Sequence, residues 1–125
     1  MKAMILSGGR GKRLRPVTDT IPKPLIKIHG KPLIEWKINY LKKFGIKDII
    51  ICSGYKGKKI ENYLKKKKNF GCNIEYSVET SPLGTAGAIK KAIKNIIGNS
   101  FIVLNGDIIT NINLKKMMIK LNSIA

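Results

Sequence analysis

Ala3-Met4-Ile5-Leu6-Ser7-Gly8-Gly9-Arg10-Gly11-Lys12-Arg13 holds the decisive pattern of this chain. Four apolar residues, Ala3–Leu6, run as a short strand straight into a glycine-rich basic loop. Glycines at such a point let the backbone approach a ligand closely and turn its amides inward as an anion nest. The spacing excludes two common phosphate motifs. A P-loop needs glycine five residues before the Gly11-Lys12 pair and Ser or Thr after it, but Leu6 and Arg13 stand there. The dinucleotide fingerprint needs a third glycine where Leu14 stands.

All three arginines of the chain, Arg10, Arg13 and Arg15, fall in this loop, with Lys12 among them. Elsewhere the chain uses lysine. Guanidinium offers a planar fork that grips phosphate oxygens bidentately and keeps its charge. Glycine amides together with four cations fit an anion the size of a triphosphate.

Working outward, strands alternate with helices. Ser7–Pro24, with three glycines, three arginines and three prolines, reads as a long loop, the kind that is usually functional. Pro32 begins a helix with Leu33, Trp36, Ile38, Tyr40 and Leu41 as an apolar stripe, and Gly45 ends it. Asp48–Cys52 is a β-branched run of the kind buried on both faces. Lys58–Lys67 is a helix with Ile60, Tyr63 and Leu64 inward. Asn73–Val78 is a strand, Thr85–Ile97 a helix, Phe101–Leu104 another buried strand and Leu114–Leu121 a last helix. This alternation predicts βαβ units and a parallel sheet, with ligands at the carboxyl ends of the strands. Ser7–Arg15, Glu79–Gly87 and Asn105–Asp107 each follow a strand, so they are expected on one edge.

Bulk properties narrow the field. A chain of 125 residues makes one domain, 1–125, and its 43% hydrophobic share is that of a globular chain. Apolar runs such as Ile49–Cys52 stop at four residues, far short of the roughly 20 that a membrane-spanning helix needs. Cys52 and Cys72 show no metal-binding spacing and read as reduced packing residues, pointing to the cytoplasm. The net charge of +18 attracts polyanions. However, 22 lysines beside 22 isoleucines look like a global compositional bias, and aromatics do not interleave with them. No specific nucleic acid is expected as partner. His29, between Ile28 and Gly30, reads as a turn residue, and Trp36 as a core anchor.

Gly8-Gly9-Arg10-Gly11-Lys12-Arg13-Leu14-Arg15-Pro16-Val17-Thr18, then Pro22-Lys23-Pro24-Leu25 and Gly30-Lys31-Pro32, resembles the signature of the sugar-phosphate nucleotidyltransferases. Leu83-Gly84-Thr85-Ala86-Gly87 and Leu104-Asn105-Gly106-Asp107 resemble that family's base-contacting loop and metal-binding aspartate. The resemblance covers essentially the whole chain. It implies a Rossmann-like three-layer α/β sandwich with a mainly parallel sheet. It also implies transfer of NMP from an NTP to a sugar-1-phosphate, with release of pyrophosphate. Catalytic roles fall to Arg13, balancing the leaving pyrophosphate, and to Lys23, held between two prolines. Nucleotide-binding roles fall to Leu6, Ser7, Gly8, Gly9, Gly11, Glu79, Gly84 and Thr85. Asp107 is the implied ligand of a Mg²⁺ ion.

Glu79 sits five residues before Gly84, where relatives that use thymine or uracil often carry glutamine. A carboxylate only accepts hydrogen bonds, and guanine presents two donors side by side, so GTP is the favoured NTP. The Pro82–Gly87 wording is close to guanylyltransferases for mannose-1-phosphate. Family members run much longer than this sequence, and their second half supplies another metal carboxylate and the sugar-phosphate ligands. The fold is therefore expected to be truncated, with the sugar-binding half absent and activity of the chain alone weak or absent. A homo-oligomer or a complementary C-terminal chain is the implied partner. Two alternatives stand beside the enzyme: a non-catalytic NTP-binding fragment or regulatory subunit, and a basic nucleic-acid-binding domain.

Overall fold

The computed structural model describes residues 2–7, 20–79, 84–92 and 101–105. The first strand, β1 (Lys2–Ser7), is followed by a 3-10 turn at Lys23–Leu25 and a small hairpin of β2 (Lys27–Ile28) and β3 (Lys31–Pro32). Then come α1 (Leu33–Lys43), β4 (Asp48–Ser53), α2 (Gly57–Lys66), β5 (Asn73–Val78), α3 (Gly84–Ala92) and β6 (Phe101–Asn105). The expected last helix at Leu114–Leu121 and the stretch Ile93–Ile97 of the third lie outside the described residues.

The main sheet runs β5-β4-β1-β6 and is parallel at every described pairing. Two apolar clusters lie on its two faces. Ala3, Ile5, Ile49 and Ile51 meet Ile34, Ile38 and Leu41 of α1 and Ile60 and Leu64 of α2 on one side. Met4, Ile50 and Cys52 meet Ala88 and Ala92 of α3 on the other. The result is the three-layer α/β sandwich that the alternation of elements predicts. Strand β4 needs consecutive apolar residues because both of its faces are covered, and Ile49–Cys52 are at most 1% exposed.

Helix α1 ends where local chemistry says it should. Gly45 adopts φ +78°, donates to the Lys42 carbonyl at 2.9 Å, and lets Ile46 donate to Leu41 at 3.0 Å. This pair of bonds satisfies the last carbonyls, and Leu41 and Ile46 share the core below it. The buried face of α1 is Leu33, Ile34, Lys37, Ile38 and Leu41. Trp36 is therefore not a core anchor. It is half-buried, donates its indole N–H to the Ile28 carbonyl at 2.9 Å and carries the Lys31 ammonium 4.6 Å from its ring centre. It props the hairpin, whose turn residues His29 and Gly30 have φ +51° and +77°. Two successive left-handed residues give the turn that matches the twist of paired strands, which accounts for His29.

One expectation is corrected at the sheet edge. The Phe101–Leu104 strand is half-buried, not buried on both faces, and Val103 is 36% exposed. Among the described residues β6 pairs only with β1, so its outer side lacks a covering strand.

Ser7 closes β1 with a buried hydroxyl that donates to the Cys52 carbonyl of β4 at 2.9 Å. Removing it leaves that carbonyl with less support in a dry setting. Ser7→Ala is expected to lower unfolding free energy by about 0.5–1.5 kcal/mol, read as a shift in the urea midpoint at unchanged slope.

Candidate functional site

The carboxyl ends of the four strands finish level. Ser7 pairs with Ser53 and Ser53 with Val78, and Leu6 pairs with Asn105. The strand order reverses between β1 and β6: chain succession runs outward from β1 to β5, then returns to β1's other side. Ligands of open parallel sheets bind at such a reversal, outside the carboxyl ends. The three segments expected to converge do so as far as they are described. Ser7, Glu79 and Asn105 end or follow β1, β5 and β6 on that single edge. Glu79 and Asn105 stand three strand spacings apart, about 14 Å, with Ser7 between them.

Leu6 packs against the α3-side cluster, and the Ser7 hydroxyl is engaged by β4. Gly84 and Thr85 open α3, whose first turn therefore follows the loop after β5. Lys23 starts the 3-10 turn, with Pro22 and Pro24 both buried on either side of it. Leu25 donates to Pro22 at 2.9 Å, Ile26 to Lys23 at 3.1 Å, and Leu33 to Ile26 at 3.0 Å, so this segment is braced against α1. Lys59, in the first turn of α2, donates to the Thr20 carbonyl at 2.6 Å. That bond ties the lysine-bearing segment to the end of α2 that starts from the carboxyl edge. Gly8, Gly9, Gly11, Arg13 and Asp107, with Arg10, Lys12 and Arg15, lie outside the described residues.

Glu79 is placed by backbone chemistry. Its N–H donates to the Ser53 carbonyl at 2.7 Å, extending the β4–β5 ladder by one bond. The carbonyl of the same peptide, that of Val78, accepts from the Lys91 ammonium of α3. Sequence reading found Glu79 but not these partners. Lys91 is thirteen residues from Val78, beyond any local pattern. Gly57, where an added Cβ would fall 2.9 Å from the Ser53 Cβ and Oγ, could have been suspected as a glycine opening a helix after a strand.

Burial first, and then the Glu79 charge, push the Cys52 thiol up to about 11 from 9.0. Both cysteines are free and buried, which agrees with their reading as packing residues. Among the described residues no three His, Cys, Asp or Glu side chains gather as a metal site. Among the described residues no helix is long and apolar enough to cross a membrane.

A parallel α/β sheet whose strands end level beside a strand-order reversal is an architecture that binds ligands at that edge. Residues 2–124 match the Nucleotidyl transferase family, and the chain belongs to that family. It is 47% identical over 114 residues to N-acetylmuramate alpha-1-phosphate uridylyltransferase of Neisseria meningitidis, covering 90% of this chain and 49% of that protein. It is 46% identical over 122 residues to D-glycero-alpha-D-manno-heptose 1-phosphate guanylyltransferase of Campylobacter jejuni, covering 98% and 53%. The crystal structure of HddC from Yersinia pseudotuberculosis complexed with GMP-PN superposes with a TM-score of 0.86 at 38% identity, over 95% of this chain and 53% of that one. The chain thus spans about half the length of these relatives.

The raised Cys52 value carries a sign. The native chain keeps a thiol proton that the unfolded chain loses near pH 9, so native stability falls as pH rises from 9 toward 11. Below pH 9 both states hold the proton and there is no effect. Wild type is expected to lose stability relative to Cys52→Val across that window. Denaturant titrations of both at pH 8, 9, 10 and 11 check it; a constant difference would contradict the assignment.

Proposed function

We propose that the chain binds an NTP, GTP in preference, across the carboxyl edge of its sheet, and serves transfer of the NMP to a sugar-1-phosphate. The observation that carries the reading is the level convergence of Ser7, Glu79 and Asn105 beside the strand-order reversal, in a chain matched to its family from end to end. In the reaction an oxygen of the sugar phosphate forms a bond to the α-phosphorus. The bridging α–β bond breaks in line, and pyrophosphate leaves with the electron pair. Little covalent chemistry falls to the protein, which must position the reactants and neutralise charge.

The backbone from Leu6 and Ser7 into Gly8, Gly9 and Gly11 presents amides to the nucleotide. Arg13 balances charge on the leaving pyrophosphate. Lys23 meets the reacting phosphates, and its buried proline neighbours limit its backbone to one course. Glu79 accepts from the N1–H and N2–H groups of guanine, with Gly84 and Thr85 at the helix start beside the base. Uracil and thymine offer one N–H between two carbonyls, so the carboxylate repels part of what it faces. Asp107 would hold Mg²⁺, which when bound supplies charge neutralisation at the phosphate oxygens.

Relatives named as guanylyltransferases support GTP, although the uridylyltransferase of Neisseria is at least as similar in sequence. Reduced cysteines and an intracellular pool of NTP support the cytoplasm. The half-exposed β6 supports association, with a second copy or with a complementary chain that covers this edge.

Calorimetric titration with the four NTPs in Mg²⁺ tests the reading. GTP is expected to bind most tightly, and Arg13→Ala to weaken it by about tenfold or more, the scale of a lost charge-assisted phosphate contact. Unchanged affinity in Arg13→Ala would refute the phosphate role. Binding of RNA that survives Arg13→Ala and collapses with salt, without NTP binding, would favour a basic nucleic-acid domain instead.

A further inference from the structure

The Val78–Glu79 peptide is held at both of its polar poles by different layers of the fold. Its N–H donates to the Ser53 carbonyl of β4 at 2.7 Å. Its C=O accepts from Lys91 of α3, on the opposite side of the unit from α2. A peptide is planar, so two bonds at opposite poles fix its rotation, and with it the position of the Glu79 Cα from which the side chain leaves. Side-chain placement of this kind is what separates a base-reading carboxylate from a solvated one, because discrimination depends on matched donors and acceptors.

The anchor carbonyl is itself held in place by packing. Ser53 is 2% exposed, and the first residue of α2 lies against it so closely that a Cβ at Gly57 would fall 2.9 Å from both the Ser53 Cβ and Oγ. No real Cβ tolerates that separation, and the atoms it would meet sit next to the backbone, so strand or helix would have to move. The residue before Gly57, Lys56, takes a left-handed φ of +53° to deliver the chain into this contact. A non-glycine residue is disfavoured there, and the surrounding packing sustains it.

We infer that Gly57 and Lys91 are positioning residues for base selection: Lys91 directly, and Gly57 through Ser53, anchor the Val78–Glu79 peptide and so fix the point from which Glu79 reaches the purine edge. This rests on the reading of Glu79 as the base-contacting residue. Neither residue touches the nucleotide, and their effect is on the ratio of affinities rather than on phosphate binding.

The test measures dissociation constants for GTP and UTP, with Mg²⁺, on the full chain. In wild type GTP is preferred, and Glu79→Gln narrows the ratio. Lys91→Met is expected to narrow it by about three- to tenfold, the scale of one lost hydrogen bond to a charged group, and Lys91→Arg to restore it. Gly57→Ala is expected to narrow it likewise, and the double variant Gly57→Ala with Ser53→Gly, which removes the clashing atoms, to recover it. General loosening of the fold would weaken both nucleotides together and leave the ratio unmoved. A ratio that responds to Glu79→Gln but not to Lys91→Met or Gly57→Ala overturns the positioning role and leaves base reading intact. A ratio indifferent to Glu79→Gln overturns the base reading, and the positioning role with it.

Discussion

Everything in this molecule depends on β1 lying between β4 and β6 with parallel hydrogen bonds to both. A strand in that position is buried on two faces and satisfied on two edges, so its only exit is at the carboxyl end. The chain beyond Ser7 therefore leaves from the edge where the other strands also end. Had β6 paired outside β5, Asn105 would sit far from Leu6.

The site is built from layers that would not cohere alone. β4 holds the amide of Glu79, α3 holds the carbonyl of the preceding residue, and α2 reaches back to hold Thr20. Glycine at position 57 is required by distance, because no larger residue fits between α2 and Ser53. All three described helices carry lysines in their last turns, Lys42 and Lys43, Lys65 and Lys66, Lys90 and Lys91, where ammonium groups meet the negative ends of helix dipoles.

Much of the fold could be read directly because it rests on local chemistry. The run Ile49–Cys52 can only be a doubly covered strand, and Gly45 after Leu41 can only stop a helix cleanly. Trp36 misled because a large aromatic on a helix usually fills a core, whereas here its indole N–H seeks the hairpin carbonyl of Ile28. Phe101–Leu104 misled for a related reason: apolar composition marks a strand but not whether neighbours cover both of its faces. Of the candidate site, Ser7, Lys23 and Glu79 could be placed after strands or between prolines by inspection. Their braces, Lys59, Lys91 and the Ser53 carbonyl, could not.

The division has a physical origin. Strand and helix character follows from side chains within a few residues of one another, and residue order along the chain carries that information openly. Parallel partners are chosen by backbone groups that are identical at every position, so the neighbour of β1 on each side emerges from how the helices pack over the two faces. The glycine–arginine loop, the proline-flanked lysine and the acid after β5 were therefore written in the chain as chemistry. That Ser7, Glu79 and Asn105 finish at one edge, that a lysine of α3 holds the Val78 carbonyl, and that a glycine of α2 packs on Ser53, came into being only once the layers closed.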